Sequence, residues 1–178
     1  LTKRDTAVKD IYADSATNRL TKALTKIVEI EAPIVDELAS DRLAEAFGIT
    51  RSTQRYKDRF AEILRHAIDE GTLRSDGTTL WRPDQAPDAY TLLRIADDDA
   101  ASQREIDHLP QVELRNACAL VLAEQFGLPR EDLVREAAKR FGFNRTTQRI
   151  ADRFNQAIDR LIASGQAKEA DGRVTPTA

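Results

Sequence analysis

The motif Phe47-Gly48-Ile49-Thr50-Arg51-Ser52-Thr53-Gln54-Arg55 recurs 94 residues later as Phe141-Gly142-Phe143-Asn144-Arg145-Thr146-Thr147-Gln148-Arg149. The similarity extends beyond the motif without a gap. From Ala44 to Phe60, ten of seventeen residues are identical to their counterparts at the offset of 94. Self-similarity at a fixed spacing indicates a duplicated structural unit. We therefore interpret the chain as two copies of one unit.

The residues before the motif predict two helices in each copy. In the first copy, apolar periodicity predicts a helix over Thr17–Glu31, with an apolar set of Leu20, Ala23, Leu24, Ile27, Val28 and Ile30. The residues Ile34-Val35 form a short extended piece after Pro33. Asp36 is a suitable N-cap for a second helix, and Gly48 can adopt the left-handed conformation that ends it.

A third helix and a hairpin follow the motif. Thr50 is expected to cap the third helix, whose apolar stripe recurs at helical spacing and comprises Tyr56, Phe60, Ile63, Leu64, Ala67 and Ile68. The second copy repeats the stripe with Ile150, Phe154, Ala157, Ile158, Leu161 and Ile162. Asp-Gly pairs inside residues 73–81 and 167–175 then predict two-residue hairpins.

This order of elements predicts a mainly α fold with small β wings, a tandem duplicated winged helix-turn-helix. The boundaries are an N-terminal arm (1–18), repeat 1 (19–82), a linker (83–108) and repeat 2 (109–178). The linker holds the acidic run Asp97-Asp98-Asp99. Trp81 and Tyr90 either join the linker to an interface between the copies or fill the core of the first unit.

Composition limits the possible functions. The chain is 41% hydrophobic and 32% charged with a net charge of -3, the balance of a globular protein that lacks a uniformly basic surface. It has one cysteine, two histidines and no methionine. These counts argue against a disulfide framework and a Cys/His zinc site, favour the cytoplasm, and suggest a piece of a longer protein.

The start of each third helix is the candidate binding site. In a helix-turn-helix this element enters the major groove of DNA with its first residues toward the base edges. Arginine binds phosphate and guanine edges bidentately, and hydroxyl and amide groups add hydrogen bonds. The arginines step by four, so one exposed face is expected in each copy. The candidates are Arg51, Ser52, Thr53, Gln54, Arg55 and Arg59, and Arg145, Thr146, Thr147, Gln148, Arg149 and Arg153.

A structural role is the alternative for the charged residues. Arg55 with Asp58, Arg59 with Glu62, and Arg149 with Asp152 have the spacing of surface ion pairs. For Asp58 and Asp152 we favour that structural role, whereas Gln54 and Gln148 suit either. The hairpin cations Arg74, Lys168 and Arg173 are weaker candidates for phosphate contact, because exposed hairpins are commonly charged.

The sequence offers little support for catalysis. Cys118 lies in an apolar helix and is expected to be a buried small hydrophobe. Neither His66 nor His108 has a histidine or cysteine companion, and there is no Gly-rich phosphate loop or nucleophile elbow. We expect no cofactor, metal or small-molecule substrate and no membrane partner.

Parts of both copies resemble a known domain. The residues are Ile27–Ile34, Arg42–Arg51, Trp81-Arg82-Pro83, Ile106–Leu114 and Glu131–Arg145. They are similar to an uncharacterised bacterial domain at the C-terminus of very large superfamily 1 helicase-like proteins. That domain typically follows an endonuclease-like domain similar to very-short-patch repair nucleases. The family often has Gly-Pro where this chain has Ala32-Pro33, and Arg-x-Gly where it has Arg51-Ser52-Thr53 and Arg145-Thr146-Thr147.

The resemblance implies a DNA-handling context, with the other domains of a helicase-like polypeptide as partners, and it implies no catalytic residues. We therefore expect a non-catalytic accessory module that binds duplex DNA for a helicase or nuclease polypeptide. The alternative is a winged-helix module that docks onto other proteins, which the acidic overall charge suits.

Overall fold

A computed structural model describes residues 11–95 and 104–177, so the acidic run 97–99 lies outside the described residues. The chain divides into two compact units, Leu1–Ala86 and Pro87–Ala178. This division differs from the boundaries expected of the sequence. Ile11 and Ala16, assigned to an arm, are buried in the first core, and Ile106, assigned to the linker, is buried in the second. Apolar side chains flanking each predicted repeat thus extend its core.

The first unit contains three helices and three short strands. Its elements are α1 (Thr17–Glu31), β1 (Ile34–Val35), α2 (Asp36–Ala46), α3 (Gln54–Asp69), β2 (Arg74–Ser75) and β3 (Thr79–Trp81). The strands form an antiparallel sheet in the order β1-β3-β2, with Ile34 opposite Leu80 and Ser75 opposite Leu80 on the other side. The strand between α1 and α2 therefore pairs with the hairpin that follows α3.

The second unit has the same order of elements. They are α4 (Gln111–Gln125), β4 (Leu128–Pro129), α5 (Arg130–Lys139), α6 (Gln148–Ala163), β5 (Ala167–Ala170) and β6 (Arg173–Pro176). The sheet order is β4-β6-β5, all antiparallel, with Leu128 and Glu169 both opposite Val174. The protein is thus mainly helical, with two small antiparallel three-stranded sheets.

Each unit has its own hydrophobic core, to which all three of its helices contribute buried side chains. Phe60 is 8% exposed and Phe154 is fully buried, as the stripes predicted. Two members of the expected sets are wrong, because Ile30 is 70% and Ile68 is 39% exposed. At 100° per residue, Ile30 lies well off the line of α1 that is buried, which comprises Leu20, Leu24 and Val28.

The aromatic residues Trp81 and Tyr90 belong to different units. Trp81 is buried, and its indole Nε1 donates a hydrogen bond to Asp76 Oδ2 at 3.0 Å. The backbone carbonyl of Tyr90 instead accepts hydrogen bonds from Asn116 Nδ2 at 3.0 Å and Arg115 Nη2 at 3.2 Å, both in α4. The expectation that both residues fill the first core is therefore wrong for Tyr90.

A buried carboxylate ties the start of the second unit to α4. The Glu113 side chain is fully buried, and it pairs with Arg94 and with Arg104, whose Nη2 lies 2.8 Å from Glu113 Oε2. Glu113 Oε2 also accepts a hydrogen bond from the Arg94 backbone N–H at 3.0 Å. Burial raises the pKa of Glu113, but the hydrogen bonds from Arg104 and Arg94 outweigh it and hold the pKa below its ordinary value of 4.5.

Candidate nucleic-acid interface

The turn between the second and third helices positions the candidate residues. In the first unit α2 ends where Gly48 adopts a φ of +69°, and in the second α5 is followed by Gly142 at +84°. A residue with a Cβ is strained in this region, which explains the glycine at both turns. The chain then runs without helical structure to Gln54 and Gln148, where α3 and α6 begin.

The residue that caps each third helix differs from the one expected. Thr53 Oγ1 accepts a hydrogen bond from Tyr56 N at 3.3 Å, and Thr147 Oγ1 accepts one from Ile150 N at 3.4 Å. The expected cap, Thr50, lies three residues before the true one. Both capping threonines were predicted to contact nucleic acid. Their hydroxyl oxygens instead satisfy N–H groups of the first helical turn.

Most of the predicted site residues are exposed at the start of the third helices. They are Arg51, Ser52, Thr53, Gln54 and Arg55 in the first unit, and Arg145, Thr146, Thr147, Gln148 and Arg149 in the second. Among the described residues, Arg51 and Arg145 have no ion pair or hydrogen bond from the side chain. Each precedes its helix, so the expected step-of-four line through Arg51, Arg55 and Arg59 does not exist.

Arg59 is a structural residue, which corrects its prediction as a nucleic-acid contact. Its side chain is 7% exposed. Arg59 Nε donates to the carbonyl of Ile11 at 2.9 Å, and Nη2 donates to the carbonyl of Ala13 and to Thr17 Oγ1, each at 3.0 Å. The expected pair with Glu62 is confirmed at 2.7 Å. The guanidinium therefore holds the segment before α1 against α3 and cannot reach a ligand.

Arg153, at the same position of the second unit, is half-buried and also bonds to the backbone. Arg153 Nη2 donates to the carbonyl of Leu109 at 2.6 Å, and burial lowers the pKa of Arg153 below its ordinary value. Leu109 lies just before α4, as Ile11 and Ala13 lie before α1. Both units thus use this arginine to hold the segment that leads into the first helix, so Arg153 is a second correction.

The same leading segments contact the arginine one turn earlier. The Arg55 guanidinium carbon lies 3.9 Å from the centre of the Tyr12 ring, and Arg149 forms an ion pair with Asp107. The Arg149 side chain remains 73% exposed. These contacts replace the expected pairs of Arg55 with Asp58 and of Arg149 with Asp152. Neither Tyr12 nor Asp107 was predicted, because a contact between segments that are distant in sequence leaves no local pattern.

The two glutamines share one geometry. Gln54 Nε2 donates to Asp58 Oδ1 at 2.8 Å, and Gln148 Nε2 donates to Asp152 Oδ1 at 2.7 Å. Both pairs are exposed on the helix surface at a spacing of four. Asp58 and Asp152 therefore orient a neighbouring side chain, and each glutamine keeps its carbonyl oxygen for other partners.

The hairpin cations are only partly available. Arg74 Nη1 donates to the carbonyl of Gln85 at 3.2 Å, and Arg173 Nη2 donates to the carbonyl of Gly127 at 2.9 Å. Lys168 is exposed on β5. The hairpin of the second unit therefore presents Lys168 more freely than its other cation.

The described residues contain little chemistry of other kinds. Cys118 is fully buried, as expected, and burial raises its pKa to about 12, which keeps the thiol protonated and unreactive. His66 Nδ1 lies 3.5 Å from Glu70 Oε2 and 3.4 Å from Thr21 Oγ1. Within residues 11–95 and 104–177 there is no cluster of three metal-ligating side chains, and no helix there is long and apolar enough to cross a bilayer.

Comparison with known proteins gives one match. The profile of a family described as "Protein of unknown function (DUF3320)" matches residues 9–58. The match covers α1, β1, α2 and the first residues of α3, and it stops before the hairpin of the first unit. No curated protein and no solved structure is significantly similar. The chain thus shares a segment with an uncharacterised family. The match agrees with the expected resemblance in that the family is uncharacterised, and it says nothing of a helicase or nuclease.

Proposed function

We propose that this chain is a tandem winged helix-turn-helix module that binds duplex DNA through the starts of α3 and α6 and catalyses no reaction. The order of helices and the three-stranded sheet in each unit support the winged-helix assignment. In that fold the third helix presents its first residues to the major groove. The observation that carries the proposal is the exposure of Arg51, Arg55, Arg145 and Arg149 at those helix starts.

The local charge favours DNA binding by the second unit over DNA binding by the first. Residues 130–154 carry seven arginine and lysine residues against four aspartate and glutamate residues, whereas residues 36–60 carry five of each. The net charge of the chain is -3, so a local excess of three cations concentrates positive potential on one helix pair. DNA affinity is expected to depend mainly on that region.

The structure reduces the expected number of phosphate contacts. With Arg59 and Arg153 bound to backbone carbonyls, two arginines remain in each unit, so four contacts are expected. Each contact with duplex DNA contributes about -0.9 to the slope of log K against log salt, which gives a slope of about -4 or shallower. Binding is expected to be weak and largely independent of sequence, because the rest of the acidic surface repels the phosphate backbone.

The test is a titration of the whole chain against duplex and single-stranded DNA at two salt concentrations. The double variant Arg145→Ala/Arg149→Ala is expected to flatten the slope by about 2 units. Its matched control is Arg65→Ala/Arg160→Ala, which removes the same charge from exposed positions near the ends of α3 and α6. No binding by the parent chain at low salt contradicts the proposal, and so does an equal loss in both double variants.

We further propose that the module acts within a helicase or nuclease polypeptide. The support is the resemblance of segments in both units to the C-terminal domain of helicase-like proteins. Such a module would position DNA for the motor and nuclease domains. The test compares DNA unwinding or cleavage by the complete polypeptide with and without the Arg145→Ala/Arg149→Ala change. If the change alters neither this activity nor the DNA affinity, the proposed role in positioning DNA is contradicted.

Protein docking is the second candidate function, and one observation favours it. Phe126 is 83% exposed and adopts a φ of +58°, so the fold presents a bare aromatic ring between α4 and β4. Exposed aromatic residues are common anchors of protein interfaces. The test is a pull-down of the remaining polypeptide by this chain. Docking is selected over the first function if the chain binds no DNA, captures the remaining polypeptide, and loses that capture in Phe126→Ser.

A further inference from the structure

The two units have a cavity at the same place, between the start of the second helix and the start of the third. In the first unit the cavity measures about 360 Å³ and its lining includes Asp36, Asp41 and Ser52. In the second it measures about 490 Å³ and its lining includes Arg130, Arg135 and Thr146. These residues correspond one to one at the offset of 94. The cavity has kept its position in both copies and has changed its charge.

The second cavity has two arginines, of which one is available to a ligand. Arg130 is held by Asp159 at 2.9 Å and Glu169 at 2.6 Å, so it ties α5 to α6 and to β5. Arg135 is 54% exposed, and its two carboxylate partners, Asp132 at 2.7 Å and Glu136 at 3.8 Å, belong to the same helix and are 38% and 31% exposed. An exposed pair of this kind contributes little free energy, so a phosphate can compete for the guanidinium.

The opposite wall of the second cavity supplies a hydroxyl donor. Thr146 is exposed in the turn before α6, and within the described residues its side chain forms no hydrogen bond. A guanidinium and a hydroxyl on facing walls match the side chains that most often bind the phosphates of DNA. The cavity also lies beside the helix start that carries Arg145 and Arg149, where the backbone of a bound duplex would pass.

The first cavity has the reverse chemistry. Asp36, Glu37 and Asp41 line it, and Lys57 is the cation among its lining residues. Burial is the main cause that raises the pKa of Asp36, and the negative charge of the neighbouring Glu37 adds to it. A phosphate entering this cavity would meet Asp36 and Asp41 where the second unit has Arg130 and Arg135, whereas Glu37 corresponds to Glu131, so that position is a carboxylate in both cavities.

We infer that the cavity between α5 and α6 is a phosphate subsite for duplex DNA, formed by Arg135 and Thr146, and that its counterpart between α2 and α3 excludes phosphate. The inference rests on the proposed function and deepens it, since it makes the second unit the main contact. The first unit then contributes at most the phosphate contacts of Arg51 and Arg55. The two copies are unequal in binding despite their similar motifs.

The test exchanges Arg135 and Asp41 in the whole chain, because the other pair of opposite charge includes Arg130, which is held by Asp159 and Glu169. Arg135→Asp copies the first unit, and it is expected to weaken duplex binding about tenfold, because one charge-assisted contact is lost and a repulsive charge is gained. Asp41→Arg copies the second unit, and it is expected to tighten binding and to steepen the salt slope by about 0.9.

Each exchange has a control with the same change of net charge. Arg160→Asp alters an exposed arginine 12 residues after Gln148, roughly 18 Å along α6, and Asp69→Arg alters the exposed last residue of α3. Equal losses in Arg135→Asp and Arg160→Asp overturn the inference, and so do equal gains in Asp41→Arg and Asp69→Arg. Should Arg135→Asp unfold, Arg135→Gln and the Asp41→Arg gain decide the question.

The outcomes separate this inference from the function on which it rests. A parent chain that binds no duplex DNA at low salt contradicts the proposed function itself. A parent chain that binds and loses affinity in Arg145→Ala/Arg149→Ala, but not in Arg135→Asp, keeps the proposed function and overturns the subsite.

Discussion

The two units treat one shared arginine alike and one shared cavity differently. Arg59 and Arg153 stand in the same Asp-Arg-Phe triplet, and each binds backbone carbonyls of the segment before the first helix of its unit. Asp41 and Arg135 stand at the same place in the cavity beside the third helix and carry opposite charges. In this comparison the identical arginine maintains the fold of each unit, whereas the residue that differs lies in the cavity where we propose that the two units differ in phosphate binding.

The largest expected effect tests whether the two cores are equally dependent on their shared phenylalanine. Phe154 is fully buried and packs with its ring centroid 6.1 Å from that of Phe141, whereas Phe60 is 8% exposed. Phe154→Ala is expected to lower the free energy of unfolding by about 3–5 kcal/mol, and Phe60→Ala by an amount near the lower bound. Urea denaturation followed by circular dichroism measures both values.

The control for these variants is Ile30→Ala, which removes an exposed side chain from α1. It is expected to change the free energy of unfolding by about 0.5 kcal/mol or less. A Phe154→Ala variant that melts within a degree or so of the parent chain would show that the third-helix stripe is not the center of the second core.

The next effect concerns a feature that only the second unit has, the buried Glu113. Glu113→Gln removes the negative charge while the cations Arg94 and Arg104 remain, so it is expected to cost about 3 kcal/mol at neutral pH. The folded-state pKa of Glu113 lies below 4.5, so the stability it contributes is present above pH 4.5 and is lost as the pH falls through the lower folded value.

The measurement is the difference in unfolding free energy between Glu113→Gln and the parent chain from pH 7 to pH 3. The difference is expected to be constant down to about pH 5 and to shrink below it, because only the parent carboxylate then takes up a proton. Glu124→Gln, at an exposed position of the same helix, is the control. A difference that grows on acidification contradicts the role given to the arginines.

A smaller effect compares the arginines that the two units share. Arg59 donates hydrogen bonds to the carbonyls of Ile11 and Ala13 and to Thr17, whereas Arg153 donates to the carbonyl of Leu109, and its Nε has no acceptor within the described residues. Arg59→Ala is therefore expected to cost about 2 kcal/mol and Arg153→Ala about 1 kcal/mol.

Thermal and urea denaturation check the order of these two values. Arg65→Ala, which removes an exposed arginine from α3, is the control and is expected to be nearly neutral. If Arg59→Ala leaves stability unchanged and lowers DNA affinity, Arg59 is a binding residue after all, and its assignment to the fold is wrong.

Much of the secondary structure was predictable because local rules govern it. The apolar spacing in α3 and α6, the glycines at the turns and the Asp-Gly pairs each act within a few residues of the chain. The sheet was only half predicted. The extended piece Ile34–Val35 was expected, but its pairing with β3 depends on how the helices fold back over the chain.

The site was less predictable because it depends on distant contacts. A step of four correctly placed Arg55 and Arg59 on one helix, but it said nothing of the segment near Ile11 that surrounds Arg59 and leaves Arg55 exposed. The ion pairs of Glu113 with Arg94 and Arg104 involve two residues of the segment that the sequence predicts to be a linker. A single glutamate in an apolar helix does not indicate that its side chain is buried. The opposite charges of the two cavities could not be predicted from the sequence, because only the structure shows which residues line each cavity.

The smallest effect concerns Phe126, where the second unit departs from the first in its backbone. Phe126 has a φ of +58°, whereas the corresponding Ala32 has a φ of -68°. A left-handed conformation costs a residue with a Cβ about 1–2 kcal/mol, and glycine avoids that cost but loses about 0.5–1 kcal/mol in chain entropy. The ring is 83% exposed, so its removal sacrifices little burial. Phe126→Gly is therefore expected to stabilise the chain by about 0.5 kcal/mol, and Phe126→Ala, which keeps the strain, to be neutral.

Urea denaturation of the two variants separates backbone strain from the loss of the ring. If Phe126→Gly is destabilised relative to Phe126→Ala, the left-handed backbone is not what makes this position costly. If both variants lose more than about 1 kcal/mol, the ring packs in the fold and is not available as a docking anchor.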